Sequence, residues 1–208
     1  MDKLRKTKEE AQITRENLLD AALVLFSKKG YALTTLDDIA KAANVTRGAI
    51  YWHFKNGKID VFEAIIIERA KRIGALWEKI LAEKASPIEV LRRLLVRTLE
   101  YYEDDKDYAA VQDMLLFKAE MVPEMEESMK IKAMHVQMSI KAIANLINRA
   151  KKDGSIRTGV DPKIAALAAY SLILGVAGNW LLDRSSFSIK ASASGIVDTL
   201  LKGIEKRN

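Results

Sequence analysis

The stretch LDDIAKAANVTRGAIYWHF, residues 36–54, constrains this chain more than any other. It holds two short segments with apolar residues at helical spacing: Leu36, Ile39, Ala40 and Ala43, then Ala49, Ile50 and Phe54. Only Asn44, Val45 and Thr46 part them. So short a join forces two helices to cross steeply and touch near the turn. Ala40 offers the small side chain that such a crossing needs, and Asn44 tolerates the left-handed backbone common in tight turns. Thr35 and Thr46 stand at N-cap positions, and Asp37 and Asp38 suit the positive end of the first helix. The spacing predicts a helix-turn-helix.

Helical spacing continues on both sides. MDKLRKTKEEAQ is charged and expected to fray. TRENLLDAALVLFSKKG then places Leu18, Leu19, Ala22, Leu23 and Phe26 on one stripe, with Thr14 as N-cap and Gly30 as the stop. A long helix is expected from Asp60 to Lys84, and Ser86–Pro87 opens the next, which ends near EDDKD. A shorter helix covers Tyr108 to Glu120, and another long one runs from Pro123 to Gly154. Asp161 and Pro162 cap an apolar helix. The last helix carries Ile189, Ala193, Ile196, Val197, Leu200, Leu201 and Ile204 at 3–4 spacing. No strand-like alternation occurs. The fold class is all-α, about nine helices, with a three-helix helix-turn-helix domain over 1–59 and a larger helical bundle over 60–208.

Composition narrows the function. Hydrophobic residues make up 49% of the chain, enough for a core. A net charge of +6, from 34 basic and 28 acidic residues, permits an acidic partner without demanding one. The absence of cysteine excludes disulfides, thiolate metal sites and thiol catalysis. Neither histidine has a glutamate three residues before it, so the di-metal bundle pattern is missing, and no phosphate-cradling glycine loop is seen. No enzyme activity, cofactor or metal is expected. IAALAAYSLILGVAGNWLLD is long enough to span a membrane. Its Ala and Gly content, Ser171, Asn179 and the closing Asp183–Arg184 read instead as a helix buried on nearly all sides, in a cytoplasmic protein with no membrane partner.

The second helix of the pair has an unusual free side. Gly48, Tyr51, Trp52 and Lys55 fall at i, i+3, i+4 and i+7, away from Ile50 and Phe54. A helix from Arg47 to His53 is about 10 Å long at 1.5 Å per residue, short enough to enter a DNA major groove by its tip. Arg47 suits bidentate contact with guanine, and Gly48 lets the backbone approach the duplex. Tyr51, His53, Thr35, Thr46 and Lys58 are candidate phosphate contacts, which orient rather than specify. Trp52 either joins them or folds back on the first helix.

These residues carry a resemblance. TRENLLDAALVLFSKKGYALTTLDDIAKAANVTRGAIYWHFKNGK resembles the N-terminal domain of TetR/AcrR-type repressors, and GAIYWHF is the form seen in repressors of multidrug efflux pumps. The family commonly has phenylalanine, lysine, Asn or Asp, then lysine. Here Gly57 intervenes between Asn56 and Lys58, a one-residue insertion before the fourth helix. The resemblance implies a homodimer on a palindromic double-stranded DNA operator, released when a small lipophilic or aromatic ligand binds the larger domain and tilts the fourth helix. The alternative is a small-molecule-binding protein of the same fold without sequence-specific DNA binding.

In the larger domain Met114, Met121, Met125, Met129, Met134 and Met138 gather around two helices. Methionine fills irregular apolar spaces. Met134, Met138 and Leu115 are expected to line a cavity with Trp77, Leu94, Leu95, Thr98, Gln112, Tyr170, Ile173 and Leu174, where Gln112, Thr98 and Tyr170 supply the polar groups. The last two helices read as the dimer surface. Leu172, Val176, Asn179, Trp180, Ile196 and Leu200 are the candidate contacts, and Gly175, Ala177 and Gly178 allow close approach.

Overall fold

The computed structural model describes residues 2–118 and 123–206. Nine α-helices run through them in order: α1 (Asp2–Lys29), α2 (Leu36–Ala42), α3 (Arg47–His53), α4 (Lys58–Leu81), α5 (Pro87–Asp104), α6 (Lys106–Asp113), α7 (Glu126–Lys152), α8 (Pro162–Leu182) and α9 (Ile189–Lys202). A π-helical turn, Met114–Lys118, follows α6, and a 3-10 turn, Pro123–Met125, precedes α7. No strand occurs among the described residues. Glu120 and Met121, named above, lie outside them.

Two expectations about helix ends are corrected. α1 does not start at Thr14 but already runs from Asp2. The charged segment contains no helix breaker, and Thr14 turns its hydroxyl back to donate to the Glu10 carbonyl at 2.9 Å, which suits a helix interior. α6 starts two residues earlier than expected, because the Asp105 carboxylate accepts the Tyr108 N–H at 2.9 Å and caps it.

The chain forms two compact units, Met1–Ala70 with Ala110–Ser128, and Lys71–Ala109 with Met129–Asn208. In the first, the stripe of α1 (Leu18, Leu19, Ala22, Leu23, Phe26) meets Ile39 of α2, Ile50 of α3 and Val61, Phe62 and Ile65 of α4, all nearly free of solvent. Phe26, Tyr31 and Phe62 form an aromatic cluster with centroids 5.1–5.9 Å apart. The π turn packs on the end of α1, where the Lys118 ammonium donates to the Ser27 carbonyl, an acceptor the helix leaves open, and to Asp113 at 2.6 Å.

In the second unit α5 turns Val90, Leu91, Leu94, Leu95 and Leu99 toward α8 and α9. The Glu103 carboxylate accepts the first amides of α9, from Ile189 at 3.1 Å and Lys190 at 2.9 Å, which the helix itself cannot satisfy. α8 is not buried on nearly all sides, as its composition suggested. It is the one described helix long and apolar enough to cross a membrane, yet only 33% of its apolar window is buried. Ala165, Ala166, Ala169, Ile173, Ala177 and Trp180 face inward, while Ile164, Leu167, Leu174 and Leu182 are exposed.

Candidate nucleic-acid interface

The geometry around α3 follows from short-range chemistry. Thr35 caps α2: its hydroxyl oxygen accepts the Asp38 N–H at 3.1 Å, and the Asp38 carboxylate accepts the Thr35 N–H at 2.9 Å. Lys29, then Thr35, hold the Asp38 carboxyl well below the usual carboxylate range. After α2, Asn44 takes φ 54, the left-handed turn expected of it. The Val45 N–H returns to the Ala40 carbonyl at 2.9 Å, locking the three-residue turn. Thr46 caps α3 by accepting the Ala49 N–H at 3.3 Å. Buried Ile50 and Phe54 then hold the helix from behind, with the Arg15 guanidinium 5.3 Å from the Phe54 ring centroid.

The opposite face is open. Gly48, Tyr51, Trp52 and Lys55 are all exposed, Trp52 at 71%. Trp52 does not fold back on α1 but stands edge-on to His53 at 4.5 Å. Burial, and after it the Arg15 charge, pull the pKa of His53 below its ordinary value. Nothing within the subunit requires glycine at 48. Its φ is not left-handed, and an added Cβ would come no nearer than 3.8 Å, to the Thr46 hydroxyl.

Arg47 is more constrained than its sequence position suggested. One terminal nitrogen lies 3.4 Å from an Asp37 carboxylate oxygen, the other donates to the Tyr51 hydroxyl at 3.5 Å, and the guanidinium carbon is 5.9 Å from the Tyr51 ring centroid. Asp37, assigned above only to the helix dipole, belongs to this group. Behind the Tyr51 ring is Gly57, buried, at φ +71, where a Cβ would meet Leu36 at 3.2 Å and Tyr51 at 3.5 Å. The inserted glycine thus makes the turn and leaves room for the ring.

Lys58 is corrected as a free phosphate contact. Its ammonium lies over the Tyr31 ring at 4.2 Å and donates to the Tyr31 carbonyl at 3.0 Å. The Gly57 turn directs the side chain to the end of α1 instead of outward.

The expected ligand residues fall in different places. Gln112 and Leu115 belong to the first unit, and the other nine to the second. Leu94, Leu95 and Ile173 are core. Thr98 is not a free polar anchor, because it accepts the Trp77 indole N–H at 2.9 Å and donates to the Leu94 carbonyl at 2.6 Å. Half-buried Tyr170 neighbours Tyr102 and Tyr108, whose rings stand 5.1 Å apart. Burial first, then Tyr108 and Tyr170, push the Tyr102 hydroxyl pKa well up. This tyrosine group was missed because its members come from three helices with no shared spacing. Met134, Met138 and Leu174 are corrected: all three are exposed, Met134 at 54% and Met138 at 61%. α7 turns Ile143, Leu146, Ile147 and Ala150 inward, which leaves both methionines on its outer side.

Among the expected dimer contacts, Leu172, Val176, Ile196 and Leu200 are half-buried and Asn179 is exposed. Trp180 is corrected. It is 5% exposed, inside the subunit, with Arg184 5.0 Å from its ring centroid.

Residues 18–65 match the bacterial regulatory proteins of the tetR family, and residues 86–205 match the C-terminal region of MAATS-type transcriptional repressors. The HTH-type transcriptional regulator AcrR of Shigella flexneri is 36% identical over 95% of this chain and 92% of its own length. The crystal structure of NalD, secondary repressor of the MexAB-OprM multidrug efflux pump in Pseudomonas aeruginosa, is similar at TM-score 0.84 and 28% identity, covering 96% of this chain and 100% of that one. SmeT, repressor of the Stenotrophomonas maltophilia efflux pump SmeDEF, is similar in its complex with triclosan at TM-score 0.80 and 26% identity, covering 94% of this chain and 93% of that one.

Proposed function

Because this chain belongs to the TetR family of bacterial transcriptional regulators, resembling the efflux-pump repressors, we propose that residues 1–59 read an operator through α3 and that residues 60–208 bind an effector and form the dimer. The observation that carries the reading is an exposed glycine, Gly48, that the fold does not need, flanked by exposed Arg47, Tyr51 and Trp52 on a helix held from behind. Glycine there serves the close approach of something outside the subunit. Arg47 meets a base edge, Tyr51, Trp52 and Thr46 meet the backbone, and Thr35 places α2 beside a phosphate. Half-buried His53, edge-on to Trp52, is a further candidate phosphate contact. The protein works in the cytoplasm, as a two-fold dimer on a palindrome.

The effector is a small lipophilic or aromatic compound. SmeT has been captured with triclosan, and the second unit of this chain gathers Tyr102, Tyr108 and Tyr170, aromatic groups suited to such a compound. The ligand acts only through its preference for the conformation that does not match DNA.

The test is selection of bound duplexes from a random pool, followed by gel-shift titration. Arg47→Ala is expected to lower the ratio of selected to random-sequence affinity about five- to 150-fold, from the ~1–3 kcal/mol of a bidentate base contact. An unchanged ratio rejects Arg47 as the reader. Tyr51→Ala is expected to weaken binding to the random-sequence duplex about tenfold, as for a lost hydrogen bond to a charged group, and binding to the selected duplex by more, because Arg47 also loses its Tyr51 partner. Its melting temperature is expected to stay within a few degrees, since the ring is 44% exposed at the residue level. A lowered melting temperature with unchanged affinity assigns Tyr51 to the fold instead.

A further inference from the structure

We propose that Asp37 is a positioning residue for sequence reading, which holds the Arg47 guanidinium in one plane at the tip of α3 together with the Tyr51 hydroxyl. The proposal rests on the reading of Arg47 given above.

Asp37 sits in the first turn of α2, Arg47 opens α3, and Tyr51 is one turn further on. The three-residue turn, closed by the Val45 N–H on the Ala40 carbonyl, sets α2 against α3 and so brings the carboxylate and the guanidinium together. The two partners engage different terminal nitrogens, Asp37 at 3.4 Å and Tyr51 at 3.5 Å. Each of those nitrogens carries two N–H groups, so each keeps one for guanine O6 or N7. A guanidinium held from two sides gives up less rotamer freedom when it docks bidentately. The Tyr51 ring is itself positioned, because buried Gly57 leaves room for it where any Cβ would press Leu36.

The arrangement does little for stability. Arg47 and Asp37 are 56% and 71% exposed, and exposed pairs contribute little to folding. A carboxylate beside the duplex also opposes phosphate in general. It neutralises the arginine's pull toward backbone phosphates, which every sequence presents, and leaves its directed contact with guanine, which few positions present. The carboxylate therefore favours sequence over charge.

The experiment uses the full-length protein, the duplex selected from the random pool, and a random-sequence duplex of equal length. Asp37→Asn is expected to raise random-duplex affinity about twofold and to lower the selected-to-random ratio about three- to fivefold. The lost preference is expected at the base position that Arg47→Ala also flattens. Asp37→Glu is expected to restore part of the ratio. In an Arg47→Ala background, Asp37→Asn is expected to leave the ratio unchanged, which a merely structural role for Asp37 would not produce. If Arg47→Ala lowers the ratio and Asp37→Asn does not, this inference fails while the reading of Arg47 stands. The same follows if Asp37→Asn lowers the ratio equally without Arg47. If Arg47→Ala leaves the ratio unchanged, both fail.

Discussion

The double substitution Leu167→Glu and Leu174→Glu is expected to turn the proposed dimer into a folded monomer and to lower operator affinity more than 100-fold. Both side chains lie on the outer face of α8, 54% and 36% exposed, in line with Ile164 and Leu182, each 69% exposed. Residues 164, 167, 174 and 182 recur near multiples of the helical repeat, so they make one stripe. An apolar stripe of that length needs a cover. A second copy is the cover proposed here, and it would bring small residues of α9, such as Ala191, Ser194 and Gly195, against the same stripe by two-fold symmetry. Two buried glutamates on each side of that axis would be close like charges without partners. The large effect on DNA follows from geometry. A dimer that has bound one half-site holds the second head at high effective concentration, and that advantage of about 10²–10⁴ disappears with the partner. Sedimentation equilibrium reads the assembly, and gel-shift titration reads the affinity. A variant that stays dimeric places the interface elsewhere. A monomer that binds the selected duplex as tightly as before would show that the operator is read by one head at a time.

How far the sequence could be read depends on the range of the interactions involved. α2, the turn and α3 were legible because each signal lies within four residues of its effect: Thr35 on Asp38, Asn44 at the turn, Thr46 on Ala49, Ile50 and Phe54 one turn apart. Thr14 misled because a threonine hydroxyl serves a cap and a helix interior equally well, and only the Lys- and Glu-rich residues before it decide. Lys58 misled because Gly57 changes the direction of the chain just before α4, and a single backbone angle redirects every side chain after it. On α8 the residues are apolar on all sides, so no stripe told Trp180 from Leu174. Which was buried depended on α5 and α9, distant in sequence. Met134 and Met138 shared that ambiguity, since methionine suits a cavity and an outer helix face alike. The arginine reader was legible, but its neighbour Asp37 was not. A carboxylate in a first helical turn already has a sufficient reason to be there, and its second role arises only when α2 and α3 cross.

Phe62→Ala is expected to cost about 3–5 kcal/mol of stability, the range for removing a fully buried phenylalanine, and to abolish operator binding at temperatures where Tyr51→Ala is still folded. Phe62 is 0% exposed and meets Phe26 at 5.9 Å and Tyr31 at 5.1 Å, both edge-on. Edge-to-face contacts add to burial, and the three rings come from α1, the loop after it and α4. Alanine would leave a hole lined by Phe26, Tyr31 and the end of α1. The neighbours cannot easily close it, because Lys58 and Lys118 fix that region through the Tyr31 and Ser27 carbonyls. A loss of that size is a large share of a domain's usual 5–15 kcal/mol. α3 has no core of its own beyond Ile50 and Phe54, so it stays in place only while α1 and α4 do. Urea denaturation followed by circular dichroism measures the cost, and operator titration against temperature measures the consequence. A cost below about 1 kcal/mol would mean that the rings contribute little and that α3 is held mainly by its caps. The expected pattern separates the two faces of the domain: substitutions behind α3 move stability first and binding through it, whereas those in front move binding alone.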